Sequence, residues 1–397
     1  MDDFLVPSGE IDSRIKRLQK KLQDNNLDGV LIVQRVDLFY FSGTAQNGFL
    51  YVPAYGEPLL FIKKYLPRAL KESSIKEIVD LKSIKDIPDL IMDFYGRLPL
   101  SLGLEFDVLP VNDFNFYKTV LRAERYLDGS SLILETRMIK STWEIEQMEK
   151  TADISGNTFD YMRSTIRPGL TEMEFAGMAE TYARRLGHGS YLNARNYQAR
   201  AYPWHILSGK NGGMVGFLDA PASGAGTSAA FPSGAGSKPL NPGEPIMIDL
   251  GTVLNGYHTD ETRMFAIGGM PDRAMKACRA SIEIHNKVLE HVKPGVTVSE
   301  LFNISVSEAE RLGYAGQYLG PEGYKVTFIG HGIGLELTEH PVIARDRDYI
   351  LEPGMVFSLE PKMVFENEFS AGIESVFLVT ETGHRLISRV PVDIFIC

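Results

Sequence analysis

The sequence predicts a mixed α/β (α+β) protein of two domains, the second built from two similar halves. Three observations carry this. Helical and strand patterns alternate over the first 125 residues or so without gathering histidines or carboxylates. A long amphipathic helical pattern opens at residue 141. Two segments, "RPGLTEME" (167–174) and "KPGVTVSE" (293–300), then repeat one another, their prolines 294 − 168 = 126 residues apart. The expected domains are residues 1–130 and 131–397.

Taken in order, Ile11, Ile15, Leu18 and Leu22 share one helical face, and "GVLIV" (29–33), "DLFYFSG" (37–43) and "FLYVPAYGEPLLFI" (49–62) read as strands. This domain is expected to be structural or oligomerising. The second domain opens on a capping-box pattern, Ser141 with Glu144, and the repeated segments carry two more, Thr171/Glu174 and Thr297/Glu300. Each follows a long helical pattern, at about 142–165 and 272–292. Two similar halves place a site in the cleft between them. The run "ASGAGTSAAFPSGAG" (222–236) lacks the spacing of a phosphate-binding loop and is expected to be a flexible surface or lid loop.

Composition narrows the function. A net charge of −10, from 41 basic and 51 acidic residues, argues against nucleic acid and anionic membrane surfaces as partners. No apolar run approaches the ~18 residues that span a bilayer. The start "MDDFLVPSGEIDSR" lacks a signal-peptide core. Two scattered cysteines, Cys278 and Cys397, suggest a reducing compartment, and the protein is expected in the cytoplasm.

The chemistry concentrates in "PIMIDLGTVLNGYHTDETRMFAIG" (245–268). Asn255-Gly256 is a preferred two-residue hairpin turn, because both central residues need positive φ. A tight turn there makes paired residue numbers sum to 511, so Asp249 faces Thr262 and Asp260 faces Gly251. Asp249, Gly251, His258, Asp260 and Thr262 then share one face. The two aspartates become diagonal neighbours roughly 7–8 Å apart at the backbone. Like charges on a face this apolar are costly unless a cation joins them.

A second hairpin, "GMVFSLEPKMVFENEFSAGIESVFLVTE" (354–381), carries Glu360 and Glu374. They share a face only if the loop has odd length or a strand bulges, and Pro361 makes an irregularity there. Four carboxylates and one histidine form a hard ligand set, suited to Mn²⁺, Fe²⁺, Co²⁺, Zn²⁺ or Mg²⁺. Four carboxylates suit a pair of ions about 3.5–4 Å apart.

These residues, with "GHGIGL" around His331 and "LEPGMVFSLEP" ending near Glu360, resemble the pita-bread metallopeptidases. That superfamily includes Xaa-Pro aminopeptidases, prolidases, methionine aminopeptidases and the metal-free creatinase. The resemblance covers most of the chain and extends to a creatinase/prolidase-like N-terminal domain. It implies two divalent ions (Mn, Co, Zn or Fe): Asp249 chelating one, Asp260 and Glu374 bridging, His331 and Glu360 completing the second site. It implies a water activated by both ions that attacks a peptide carbonyl near the N-terminus of a short peptide, with Glu360 accepting its proton. It also implies a homodimer.

The sequence departs from the resemblance around the substrate. A histidine usual seven positions after His331 is replaced by Thr338, with His340 two residues late in "TEHP". Ala230 stands where a histidine precedes the first aspartate, and Gly372 where an arginine is common. His205 and His340 are candidate substitutes, so His205, Thr338 and His340 are the substrate-side candidates. For His205, between Trp204 and Ile206, a packed core histidine is the stronger expectation. Losing one such donor commonly costs about 10²–10³ in rate. An alternative is therefore a superfamily member acting on a small amide, guanidino or carboxylate substrate. A non-catalytic binding relative is the last reading.

Overall fold

The computed structural model describes residues 4–195, 204–216, 218 and 220–397. The chain divides into two compact units, residues 1–137 and 138–397, against the boundary expected at 130. The difference lies in one helix, whose Ile133 is buried and whose Arg137 pairs with Asp37 of the first unit at 2.6 Å.

The first unit runs α1 (Ser8–Asp24), β1 (Gly29–Ile32), α2 (Arg35–Ser42), β2 (Gly48–Pro53), β3 (Leu59–Ile62), α3 (Leu66–Glu72) and β4 (Glu77–Asp80). It continues with α4 (Ile87–Tyr95), β5 (Ser101–Leu104), α5 (Val111–Val120), β6 (Arg125–Asp128) and α6 (Ser130–Met138). Its six strands form one mixed sheet in the order β4-β3-β2-β1-β5-β6. Ile11, Ile15, Leu18 and Leu22 of α1 are buried, as their spacing requires. The segment 37–43, expected as a strand, is helix α2. The Gln34 side chain accepts from the backbone N–H groups of Val36 and Asp37, and Gly43 closes the helix in the left-handed conformation. These two caps outweigh the β-prone Leu38-Phe39-Tyr40-Phe41 run.

The second unit holds α7 (Thr142–Thr165), α8 (Glu172–Arg185), β7 (His205–Ser208), β8 (Ile246–Leu254), β9 (Tyr257–Ala266), α9 (Asp272–Leu289) and α10 (Val298–Arg311). Then come β10 (Phe328–Gly332), β11 (Glu339–Ala344), β12 (Val356–Leu359), β13 (Lys362–Phe365), β14 (Phe369–Gly372), β15 (Ser375–Val379), β16 (His384–Leu386) and β17 (Ile394–Ile396). The strands form sheets ordered β17-β9-β8-β7 and β11-β10-β12-β15-β16, with β13-β14 as a separate ribbon. Ser141, Thr171 and Thr297 all make the capping boxes their sequences predict.

The internal repeat is visible in the hydrogen bonding. In the first half Gly169 N donates to Leu240 O and Leu240 N to Leu170 O. In the second, Gly295 N donates to Leu351 O and Leu351 N to Val296 O. Leu240 and Leu351 are therefore counterparts, offset by 351 − 240 = 111, and the same offset carries Asp249 onto Glu360. Each half buries its own apolar face. Ile154, Phe159, Phe175, Ile248 and Phe265 fill one core, and Ile284, Leu301, Phe302, Phe357 and Phe377 the other. The small-residue loop is not wholly a surface feature. Residues 221–224 are buried and only the tip, including Ala230, is exposed. Glu172 anchors its base, accepting from Gly236 N and from Asn211, which in turn accepts from Ala225 N.

Candidate metal centre

The first hairpin has the register its turn dictates. Asp249 pairs with Thr262 and Gly251 with Asp260, and Asn255 takes a φ of 55° in the turn. The second satisfies the parity requirement through a three-residue loop, 366–368, between β13 and β14. The ladder is interrupted at Glu360 and Pro361, between β12 and β13. Leu359 pairs with Ser375 and Lys362 with Gly372, which sets Glu360 opposite Glu374 across the gap.

His331 lies on β10, which pairs with β12 through His331 and Ser358. The glycines beside it permit close approach of neighbouring backbone: a Cβ on Gly330 would lie 2.1 Å from Ser358 O, and one on Gly332 2.2 Å from His340 O. The His331 Nδ1 sits 3.0 Å from Gly332 O. A carbonyl only accepts, so Nδ1 carries the proton and Nε2 offers its lone pair. Nε2 lies 3.7 Å from Glu360 Oε1 and 3.9 Å from Asp260 Oδ2. Glu374 is held at both oxygens: Ser358 Oγ donates to Oε1 at 2.6 Å and Thr262 Oγ1 to Oε2 at 2.8 Å.

The five residues expected around metal thus converge, and the ligand atoms of Asp260, His331 and Glu374 lie within 4.8 Å of one another. An imidazole lone pair and carboxylates at that spacing, with one carboxylate fixed by two hydroxyls, fit a divalent cation.

A sixth group stands among them. Lys362 Nζ lies 2.8 Å from Glu360 Oε2, 3.0 Å from Asp249 Oδ2 and 3.0 Å from Glu374 Oε2. The side chain is buried, and its stem runs over Gly372, where a Cβ would meet Lys362 Cγ at 2.6 Å. Sequence reasoning missed this residue. Its signal was an even offset from Glu360, which puts both side chains on one face once the strand resumes after Pro361.

Burial works against every charge here. Against it, the Lys362 ammonium and the neighbouring His205 hold Asp249 well below the usual carboxylate range. Burial, reinforced by Glu374 and Asp249, pushes Asp260 well above that range. Burial also raises Glu360, more than Lys362 offsets. For Lys362 the desolvation cost is outweighed by Asp249, Glu360, Glu374 and Asp260, which raise it well above an ordinary lysine.

The remaining candidates fall as follows. His205 pairs with Asp249 across β7 and β8, its Nδ1 3.8 Å from Asp249 Oδ2. It is buried, as a core histidine would be, but it borders the centre. Thr338 is exposed, and so is Ala230. His340 packs its ring against Tyr349, with centroids 5.4 Å apart. His258 shares the face of Asp260 and acts as a strut. Its Nδ1 donates to Gly334 O at 2.9 Å and its Nε2 accepts from Asn193 N at 3.1 Å. Burial pushes it down to about 4, so it is neutral when folded.

Behind the centre, Arg263 is fully buried. Its Nε donates to Pro391 O at 2.6 Å, and its terminal nitrogens to Thr262 O at 2.8 Å, Val390 O at 2.6 Å, Ser375 Oγ at 3.2 Å and Glu374 O.

Comparison with known proteins gives the family and the fold. Residues 146–381 match metallopeptidase family M24, and residues 14–139 match the creatinase/prolidase N-terminal domain. An Xaa-Pro dipeptidase of Pyrococcus furiosus is 27% identical over 379 residues, covering 95% of this chain and 97% of its own. Among solved structures, an Xaa-Pro dipeptidase from Bacillus anthracis superposes with a TM-score of 0.83 at 24% identity, covering 98% of this chain and 100% of its own. A prolidase from Pyrococcus horikoshii does so with 0.80 at 22%, covering 96% and 99%. At these identities the superpositions speak for the fold.

Proposed function

The chain belongs to metallopeptidase family M24, and from that premise we propose that it is a metal-dependent peptidase of the Xaa-Pro type, cleaving near the N-terminus of short peptides. The carrying observation is the buried cluster in which Asp260, Glu360 and Glu374 gather at His331, with Asp249 joined to Glu360 and Glu374 through Lys362. Asp260, His331 and Glu374 would hold a divalent cation, with Mn²⁺ or Co²⁺ the first to try. When bound, the ion supplies Lewis acidity for hydrolysis. Glu360 is the residue to move a proton, its Oε1 directed toward His331 Nε2. Ser358 and Thr262 keep Glu374 aimed inward, and His258 ties the loop after His331 to the segment at Asn193. The names of the relatives support the substrate class.

The test is hydrolysis of Xaa-Pro dipeptides and tripeptides by protein supplied with Mn²⁺ or Co²⁺, with and without chelator. Cleavage that disappears on chelation and in Glu360→Gln is the expected result. A metal-bearing protein that cleaves none of them would instead support a small amide, guanidino or carboxylate substrate. The exposed Thr338 and Ala230, standing where peptidase histidines are expected, favour that second reading.

The same reading makes the protein cytoplasmic and homodimeric. Its acidic charge and two free cysteines support the first, and light scattering on the purified chain tests the second. Among the described residues no helix is long and apolar enough to cross a membrane.

A further inference from the structure

We propose that the Lys362 ammonium stands where one of two metal ions would otherwise sit, so that the chain binds a single divalent ion through Asp260, His331 and Glu374. The proposal deepens the metallopeptidase reading and rests on it.

An ammonium has three N–H donors, and Lys362 Nζ has three carboxylate oxygens within 3.0 Å, one each from Asp249, Glu360 and Glu374. An ion chelated by Asp249 and shared with Glu374 would need those same oxygens. The residues therefore do not fit a second ion while the lysine keeps its place.

The lysine is built into the fold. Its backbone is fixed opposite Gly372 by the β13-β14 ladder, its stem fills the space that glycine leaves, and the residue is only 3% exposed. Removing the ammonium from its three partners would strand a buried charge, at a cost that buried pairs make severe.

The remaining set is sufficient for one ion. Asp260 and His331 make no hydrogen bond to Lys362 among those described, and with Glu374 they present three ligand atoms within 4.8 Å.

The offset of 111 that carries Asp249 onto Glu360 carries Gly251 onto Lys362. In the first half that position has no side chain, and Leu192 occupies the space beside it, 2.6 Å from where a Cβ would stand. The lysine thus has no counterpart in the first half, where Asp260 faces Gly251 as Gly372 faces Lys362 in the second.

The experiment is metal counting on the full chain. Protein saturated with Mn²⁺ or Co²⁺ and freed of excess ion by gel filtration is analysed by mass spectrometry for metal, and the Mn²⁺ form by electron paramagnetic resonance. Wild type is expected to retain one ion per chain, with the spectrum of an isolated Mn²⁺. Lys362→Ala, checked for folding by its melting transition, is expected to retain two ions with an exchange-coupled spectrum. Two ions in wild type overturn the proposal, and so does a folded Lys362→Ala that stops at one. If the variant does not fold, the wild-type count decides alone. Wild type with no ion defeats both the proposal and the metallopeptidase reading. One ion without Xaa-Pro hydrolysis leaves the proposal standing and defeats the peptidase reading, and two ions with hydrolysis do the reverse.

Discussion

Ser358→Ala removes one hydroxyl from the fully buried β12 strand and should weaken metal binding without touching a ligand. Ser358 Oγ donates to Glu374 Oε1 at 2.6 Å, and Thr262 Oγ1 donates to Oε2 at 2.8 Å. The two hydroxyls come from different strands and fix the plane of one carboxylate. A hydrogen bond to a charged acceptor contributes about 1.5–3 kcal/mol. At one decade per 1.4 kcal/mol, losing it lowers affinity for the ion by roughly 10- to 100-fold, which is also the usual effect of groups that orient metal ligands. The assay is a Co²⁺ titration followed by visible absorbance, with circular dichroism confirming the fold. Thr262→Val should fall in the same range. Because both hydroxyls act on one carboxylate, the double variant should lose less than the sum of the two. A folded Ser358→Ala that binds Co²⁺ within twofold of wild type would refute the reasoning.

Three further outcomes are expected. Arg263→Met removes the buried guanidinium's hydrogen bonds to the carbonyls of Thr262, Glu374, Val390 and Pro391 and to Ser375 Oγ; urea unfolding should show a loss of about 3–5 kcal/mol, and a loss below ~1 kcal/mol would contradict the bonding described. Gly332→Ala places a Cβ 2.2 Å from His340 O and must part β10 from β11, lowering stability by about 1–3 kcal/mol and weakening metal retention; an unchanged melting temperature would count against that contact. Burial pushes His258 and His285 from 6.5 to about 4. The unfolded chain therefore takes up protons first as pH falls, so their contribution is complete above about pH 6.5 and is lost between there and pH 4, on the order of 3 kcal/mol each. His285→Gln should flatten the stability profile over that window, and a profile as steep as wild type would be the contrary result.

What the sequence made legible follows the reach of local rules. Asn255-Gly256 demands a two-residue turn, and from that turn alone the pairing of Asp249 with Thr262 follows by counting. The parity of Glu360 and Glu374 required an odd loop, and residues 366–368 supply it. Glycine around His331 indicated close backbone approach, which Gly330 and Gly332 both make. Where local rules compete, reading by propensity failed: Gln34 and Gly43 turn an aromatic run into helix α2. Lys362 was missed for a different reason. A lysine in a strand is ordinarily solvated. Its burial depends on Asp249, 113 residues away, on Glu374, twelve away, and on the missing side chain at Gly372, as well as on the nearby Glu360.

The opposition of Glu360 and Glu374 also bears on how the protein matures. A centre built only of inward-facing carboxylates repels itself until an ion arrives, which ties folding to metal supply. Here a cation two residues from Glu360 reaches three of the four carboxylates. A counter-charge held by a covalent bond is present at every metal concentration. The carboxylates of Asp249, Glu360 and Glu374 are therefore paired with Lys362 of the second hairpin before any ion binds.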